Sequence, residues 1–252
     1  MIFVYAAAAA VNLLIPDTGA RYPKQDFRPI HTLVNFGKSC SLLWHDKLGQ
    51  ISLSVTTLFW GAGATLQFLV LAWADSNLGL DLSKAAILQG VVAIGIAIGA
   101  VLAAAYVSLR RRGDVLPIGV LMGFSVAVMS FYKASWIPGG FDIFGFHISF
   151  AIAIACLLLV SVGMMAGFFV VPMNALLQHR GHVLMSAGRS IAVQNFNENS
   201  SILVMLGLYS LLIKSGLGTV TIMVLSDALS AARCWRGFSN ITTINPKKTR
   251  SI

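Results

Sequence analysis

Gln194, Asn195, Asn197, Glu198 and Asn199 place one carboxylate among four amides, inside a run that is otherwise largely apolar from Ile191 to Leu208. Such a set attracts a cation through the carboxylate and offers amide donors and acceptors to a polar head group. At about 100° per residue along a helix, Gln194, Asn195, Glu198, Asn199 and Ser201 share one face, with Phe196 opposite. Arg189 marks the nearest charged boundary, and Glu198 lies about 13 Å further along a helix, close to mid-bilayer. A carboxylate at that depth costs at least a few kcal/mol against lipid, so it is expected to line a cavity or face a partner. The Asn199-Ser200-Ser201 sequon lies too deep for glycosylation. Trp60 and Gln67 are seven residues apart and share a helix face; with Gln194, Asn195, Glu198 and Asn199 they form the candidate substrate-binding set.

Other chemistries lack their residues. Acyltransferase chemistry of the HxxxxD type needs an acid five residues after a histidine, and those positions hold Phe36, Gln50, Ile152, Leu184 and Ala187. Neither GxSxG nor HExxH occurs, so no catalytic residues are expected. Cys40, Cys156 and Cys234 form no CxxC and have no histidine at ligand spacing, which points to neither a metal site nor a disulfide framework. No cofactor is expected.

The elements that must carry these residues are set by composition. Of 252 residues, 57% are apolar and 11% charged, against about 25% charged in soluble domains. With a mean hydropathy of +0.80, the chain cannot cover a water-facing surface. Apolar runs fall at about 1–16, 50–74, 85–109, 115–132, 147–177, 190–213 and 216–232, most of them near or above one bilayer span. They are too long and too rich in Ala, Leu and Gly for the short alternating segments of a barrel. The expected fold is an all-α integral membrane bundle of about seven transmembrane helices.

Basic residues test that division. Counted along the chain, the 18 Lys and Arg fall as 5, 1, 3, 1, 2, 1 and 5 in the successive connections and the tail. The larger groups mark 17–49, 110–114, 178–189 and the C-terminus as cytoplasmic. The net charge of +9 is therefore read as topology, not as a nucleic-acid surface. Segment 1–16 starts inside an apolar run and reads as a truncated helix; 17–49, with Pro16 and Pro23 nearby, reads as a cytoplasmic connector between two bundles. Residues 50–232 form a six-helix bundle and 233–252 a basic tail.

Gly95/Gly99, Gly119/Gly123 and Gly163/Gly167 are small-residue pairs one turn apart, suited to close helix packing. Pro172 is expected to kink or end its helix, and Asn174 to hydrogen-bond at that helix end.

Phe168-Phe-Val-Val-Pro-Met-Asn174, the stretch on to His182, the run Ser190-Ile-Ala-Val-Gln-Asn-Phe-Asn-Glu-Asn199 and Leu58-Phe-Trp-Gly-Ala-Gly-Ala-Thr-Leu-Gln-Phe68 together resemble the bacterial lysophospholipid transporters of the major facilitator superfamily. The resemblance covers roughly residues 1–222. It implies the last helix of an N-terminal half followed by the C-terminal six-helix half, so the partner is a missing N-terminal half. It further implies inward movement of lysophosphatidylethanolamine-type lipids across the bacterial inner membrane by alternating access, Glu198 and its amides facing the head group. A cytoplasmic-side lysophospholipid acyltransferase would use the product. The sequence departs from the family at Gln67, where relatives carry an arginine, and beyond about Leu225. Export of another amphipathic solute, or an inactive truncated remnant, is the alternative.

Overall fold

A computed structural model describes residues 2–14, 28–107, 115–143, 146–216, 218 and 221. The chain divides into two units, Met1–Asn35 and Phe36–Ile252. The first contains helix α1, Ile2–Asn12, whose Ala6–Ala10 run has the highest intrinsic helix propensity. At 11 residues it is shorter than a bilayer span.

Helix α2, Pro29–His45, begins in the first unit and continues into the second. The segment expected as a plain connector therefore contains four to five turns of helix. Its start at a proline fits the first helical turn, where the missing N–H is not needed.

The second unit is built from α3 (Lys47–Leu78), α4 (Leu82–Tyr106), α5 (Leu116–Ser130), α6 (Phe150–Leu184) and α7 (Ala187–Lys214). Four of these, α3, α4, α6 and α7, are long and apolar enough to cross a membrane. The expected all-α membrane bundle is observed, with one small addition in a connection. There, between α5 and α6, strand β1 (Gly140–Ile143) pairs antiparallel with β2 (Phe146–Ser149), Gly140 opposite Ser149.

The helix ends follow local chemistry. Asp46 caps α3 by accepting from the Gly49 N–H at 2.8 Å, and Asp81 caps α4 by accepting from Lys84 N–H at 3.1 Å. Each satisfies a donor that the first turn leaves free. Gly79, at φ 64°, closes α3 in the left-handed conformation that glycine adopts without penalty. At the same end, Asn77 donates to the carbonyls of Ser130 and Tyr132 at 3.2 and 2.9 Å, tying the α3 terminus to that of α5.

Glycines let α4 and α6 meet at backbone distance. A Cβ at Gly95 or Gly99 would collide with the carbonyls of Val160 or Met164, and one at Gly163 or Gly167 with those of Val92 or Ile96. The two pairs thus serve packing. Gly61 receives Ser201 and Met205, which sets α3 against α7. Around these contacts Leu69, Trp73, Leu88, Met129 and Leu159 are buried in one apolar cluster.

Pro172 does not end α6. The helix runs twelve residues past it to Leu184, leaving only Met185 and Ser186 before α7. Met173 and Leu177, both fully buried, hold the continuation in the core, and packing of this kind tolerates proline within membrane helices. The expected 178–189 connection is correspondingly mostly helical. The Arg110–Arg112 group, nearly all of the 216–232 run and the tail from Arg233 lie outside the described residues.

Candidate functional site

Helix α7 carries the polar stretch, and its neighbours divide it. Gln194 and Glu198 are buried, at 8% and 9% exposure, while Asn195 and Asn199 on the adjoining flank are exposed. The α7 face that meets α3 at Gly61 through Ser201 is continuous with Gln194 and Glu198, spaced seven and three residues before it.

One amide organises the buried pair. Gln194 Nε2 donates to Glu198 Oε1 at 2.8 Å and to Asn174 Oδ1 of α6 at 3.2 Å. Its two hydrogens thus bridge two helices. Asn174 is therefore not a helix-end residue: α6 continues ten residues beyond it. The spacing of four that makes Gln194 and Glu198 neighbours on one helix was visible in the sequence; the contribution of Asn174 was not.

Two further amides bond outside this cluster. Asn199 Nδ2 donates to the Asn195 carbonyl at 2.7 Å, one turn back. Asn197 donates to the Val193 carbonyl, and its Oδ1 accepts from the Trp44 indole at 3.3 Å. Phe196 points its ring edge-on to Phe36 of α2, with centroids 5.3 Å apart.

Trp60 and Gln67 occupy a different place. Both line a partly open cavity of about 410 Å³ bordered by α3, α4, α5 and α6, which Ile202 of α7 also touches. Its walls are chiefly apolar, with Phe59, Met122, Leu159 and Phe169 among them. Gln89 is its other polar side chain; its amide donates to the Gln67 main-chain carbonyl at 2.8 Å. Trp60 is 43% exposed and stands edge-on to Phe59. Gly119 and Gly123, expected as a packing pair, border this space. None of Gln194, Asn195, Glu198 and Asn199 does. The six candidate residues thus form a buried hydrogen-bonded pair, an exposed amide flank and two cavity-wall residues.

An ion pair at the turn between α2 and α3 has no local signal in the sequence. Arg180 of α6 binds Asp46 in bidentate fashion, NH2 to Oδ1 at 2.6 Å and Nε to Oδ2 at 3.1 Å. Burial alone would raise the Asp46 pKa, but the Arg180 hydrogen bond and charge, with the Gly49 N–H, outweigh it and hold it below the ordinary value. From the sequence Arg180 reads only as a topology charge, because its partner lies 134 residues away. Among the described residues no three His, Cys, Asp or Glu side chains converge to hold a metal ion.

No family model matches the chain, and no solved structure matches it. It is similar to the lysophospholipid transporter LplT of Yersinia pestis (strain Pestoides F), with 42% identity over 220 residues, 87% of this chain and 50% of that protein. The same identity and coverage relate it to LplT of Yersinia pseudotuberculosis serotype O:3 (strain YPIII). The chain spans about half the length of the curated relatives it matches.

Proposed function

We propose that this chain supplies the C-terminal half-bundle of a lysophospholipid transporter of the major facilitator type. In this reading it moves lysophosphatidylethanolamine-type lipids across the bacterial inner membrane to the cytoplasmic leaflet by alternating access between two halves. It is a multi-pass protein with a cytoplasmic C-terminus, carries out no covalent chemistry, and delivers its cargo to a cytoplasmic-side acyltransferase.

The observation that carries this reading is the hydrogen-bonded Gln194–Glu198–Asn174 cluster, its first two members buried, within long apolar helices. A membrane helix retains an acid at that position at a cost, and acids of this kind mark substrate or ion pathways. An ethanolamine head group brings an ammonium that a carboxylate attracts and a phosphate that amides can donate to. Gln194 holds the Glu198 carboxylate in place, while Asn195 and Asn199 on the exposed flank meet the second half or the lipid head. The similarity to LplT over 87% of the chain supports the same cargo class.

The test is complementation. This chain is co-expressed with the N-terminal half of the Yersinia pestis relative in spheroplasts that lack their own transporter, and uptake of labelled lysophosphatidylethanolamine is measured. Uptake that depends on both halves and falls with Glu198→Gln supports the reading. Inserted halves that take up no lysophospholipid overturn it.

A further inference from the structure

We infer that Trp44 is a positioning residue for the polar cluster: the end of α2 grips α6 and α7 together, and so holds Asn174 within hydrogen-bond reach of Gln194 beside Glu198. The inference rests on the reading of that cluster as a head-group site and names what keeps it assembled.

The cluster depends on helix spacing. The Gln194–Glu198 bond lies within one helix and survives any movement of α7 as a body. The Gln194–Asn174 bond crosses to α6 and, at 3.2 Å, already sits at the long end of the ordinary range. A slide of about 0.5 Å between the two helices carries it out of range. The start of α7 does little to prevent this, because Ser186 makes no side-chain capping bond to the first turn.

The end of α2 supplies the hold. At about 100° per residue, Val193 and Asn197 lie on one side of the Gln194–Glu198 ridge of α7, and Asn195 and Asn199 lie on the other. Helix α2 packs on the first side. Its Leu43 is fully buried in a cluster with Val193 of α7 and Leu177 of α6, against which Phe36 also packs. The Trp44 indole donates to Asn197 Oδ1 at 3.3 Å, and Asn197 donates in turn to the Val193 carbonyl at 2.8 Å. Asn197 adjoins Glu198 in the chain. Two residues after Trp44, Asp46 takes the Arg180 guanidinium of α6. Arg180 stands six residues past Asn174, about 9 Å of helix. Trp44 and Asp46 thus fasten the two helices that share the Asn174–Gln194 bond, from points that the chain keeps within about 7 Å of each other. The Asn195–Asn199 side is left exposed, so a ligand meets the cluster from the flank that α2 does not cover. Trp44 acts through Asn197 and not on the ligand.

The experiment measures uptake of labelled lysophosphatidylethanolamine against its concentration, with this chain and the N-terminal half of the Yersinia pestis relative in spheroplasts. Trp44→Phe keeps an aromatic ring and removes the N–H. The half-saturation concentration is expected to rise about threefold to tenfold, as for one lost hydrogen bond, with the maximal rate changed by less than about twofold. Trp44→His, whose imidazole carries an N–H at the corresponding ring position, is expected to restore it. Asn197→Ala is expected to match Trp44→Phe, and the double substitution to be no worse than either alone. Leu42→Ala, at an exposed position of α2, is the control and leaves uptake unchanged. Amide hydrogen exchange on the whole chain in nanodiscs needs no transport: Trp44→Phe is expected to speed exchange about threefold over Ser190–Glu198, with α4 unchanged. An unchanged half-saturation concentration in Trp44→Phe overturns the positioning role. So does a rise that Trp44→His leaves in place, or a double substitution in which the two effects multiply. No uptake by the unsubstituted pair overturns the transport reading instead, and the exchange result then decides the grip of α2 by itself.

Discussion

The Gln194 carboxamide lies 2.8 Å from the Glu198 carboxylate and donates from the same nitrogen to Asn174 across the α6–α7 boundary. The acid is thus tied to a neighbouring helix by an uncharged go-between. Among the described residues its hydrogen-bond partner is an amide and not a cation.

Glu198→Gln keeps the size and removes the charge. Transport by the two-half system should fall about tenfold, as for loss of one charge-assisted contact worth about 1.4 kcal/mol. Membrane insertion and thermal stability should be unchanged or slightly raised, since a buried charge is removed. Uptake and melting measured on the same preparation check this, and unchanged uptake would remove Glu198 from the site.

Gly99→Ala and Gly163→Ala drive a methyl into the facing backbone carbonyls. Each should destabilise the α4–α6 pair by about 1–3 kcal/mol, the usual cost of overpacking. Gly90→Ala meets nothing within 4 Å on the same helix and should be neutral. Thermal denaturation in detergent separates the three.

The Asp46–Arg180 bridge gives a pH dependence with a definite sign. The folded carboxyl titrates below its ordinary value of 3.8, so its stabilisation is complete above that value. It is lost as pH falls through the lower folded value. Arg180→Gln should lower stability at neutral pH and flatten the acid limb of a melting-temperature profile. Parallel profiles for the two proteins would contradict it.

Asn77→Ala leaves the Ser130 and Tyr132 carbonyls without their side-chain donor. A loss of about 1–2 kcal/mol is expected, with faster amide hydrogen exchange at the C-terminal end of α5 and little change at the α6–α7 turn.

Membrane character was legible because a bilayer imposes one requirement that composition alone reports: about 20 apolar residues per crossing. Glu198 stood out on the same ground, as an acid measured from the nearest charged boundary. Helix ends were harder to read. Apolar runs locate the part of a helix in lipid, whereas α6 continues through Pro172 and Arg180 on hydrogen bonds and packing that carry no hydropathy signal. The helix in 29–45 was missed because prolines nearby suggested a connector, and Pro29 occupies the first turn, where it does no harm.

By itself, then, the sequence determined the solvent of the fold, the helical class and the one acid worth attention, because each depends on residues close together along the chain. Tertiary structure decided which of five polar residues on a helix are covered, that Asn174 completes their hydrogen bonds, that Arg180 finds Asp46, and that an apolar cavity opens beside Trp60 and Gln67. Those outcomes depend on which helix faces which. That is fixed by backbone contact at four glycines and by side-chain volume summed over several helices, quantities no local pattern contains.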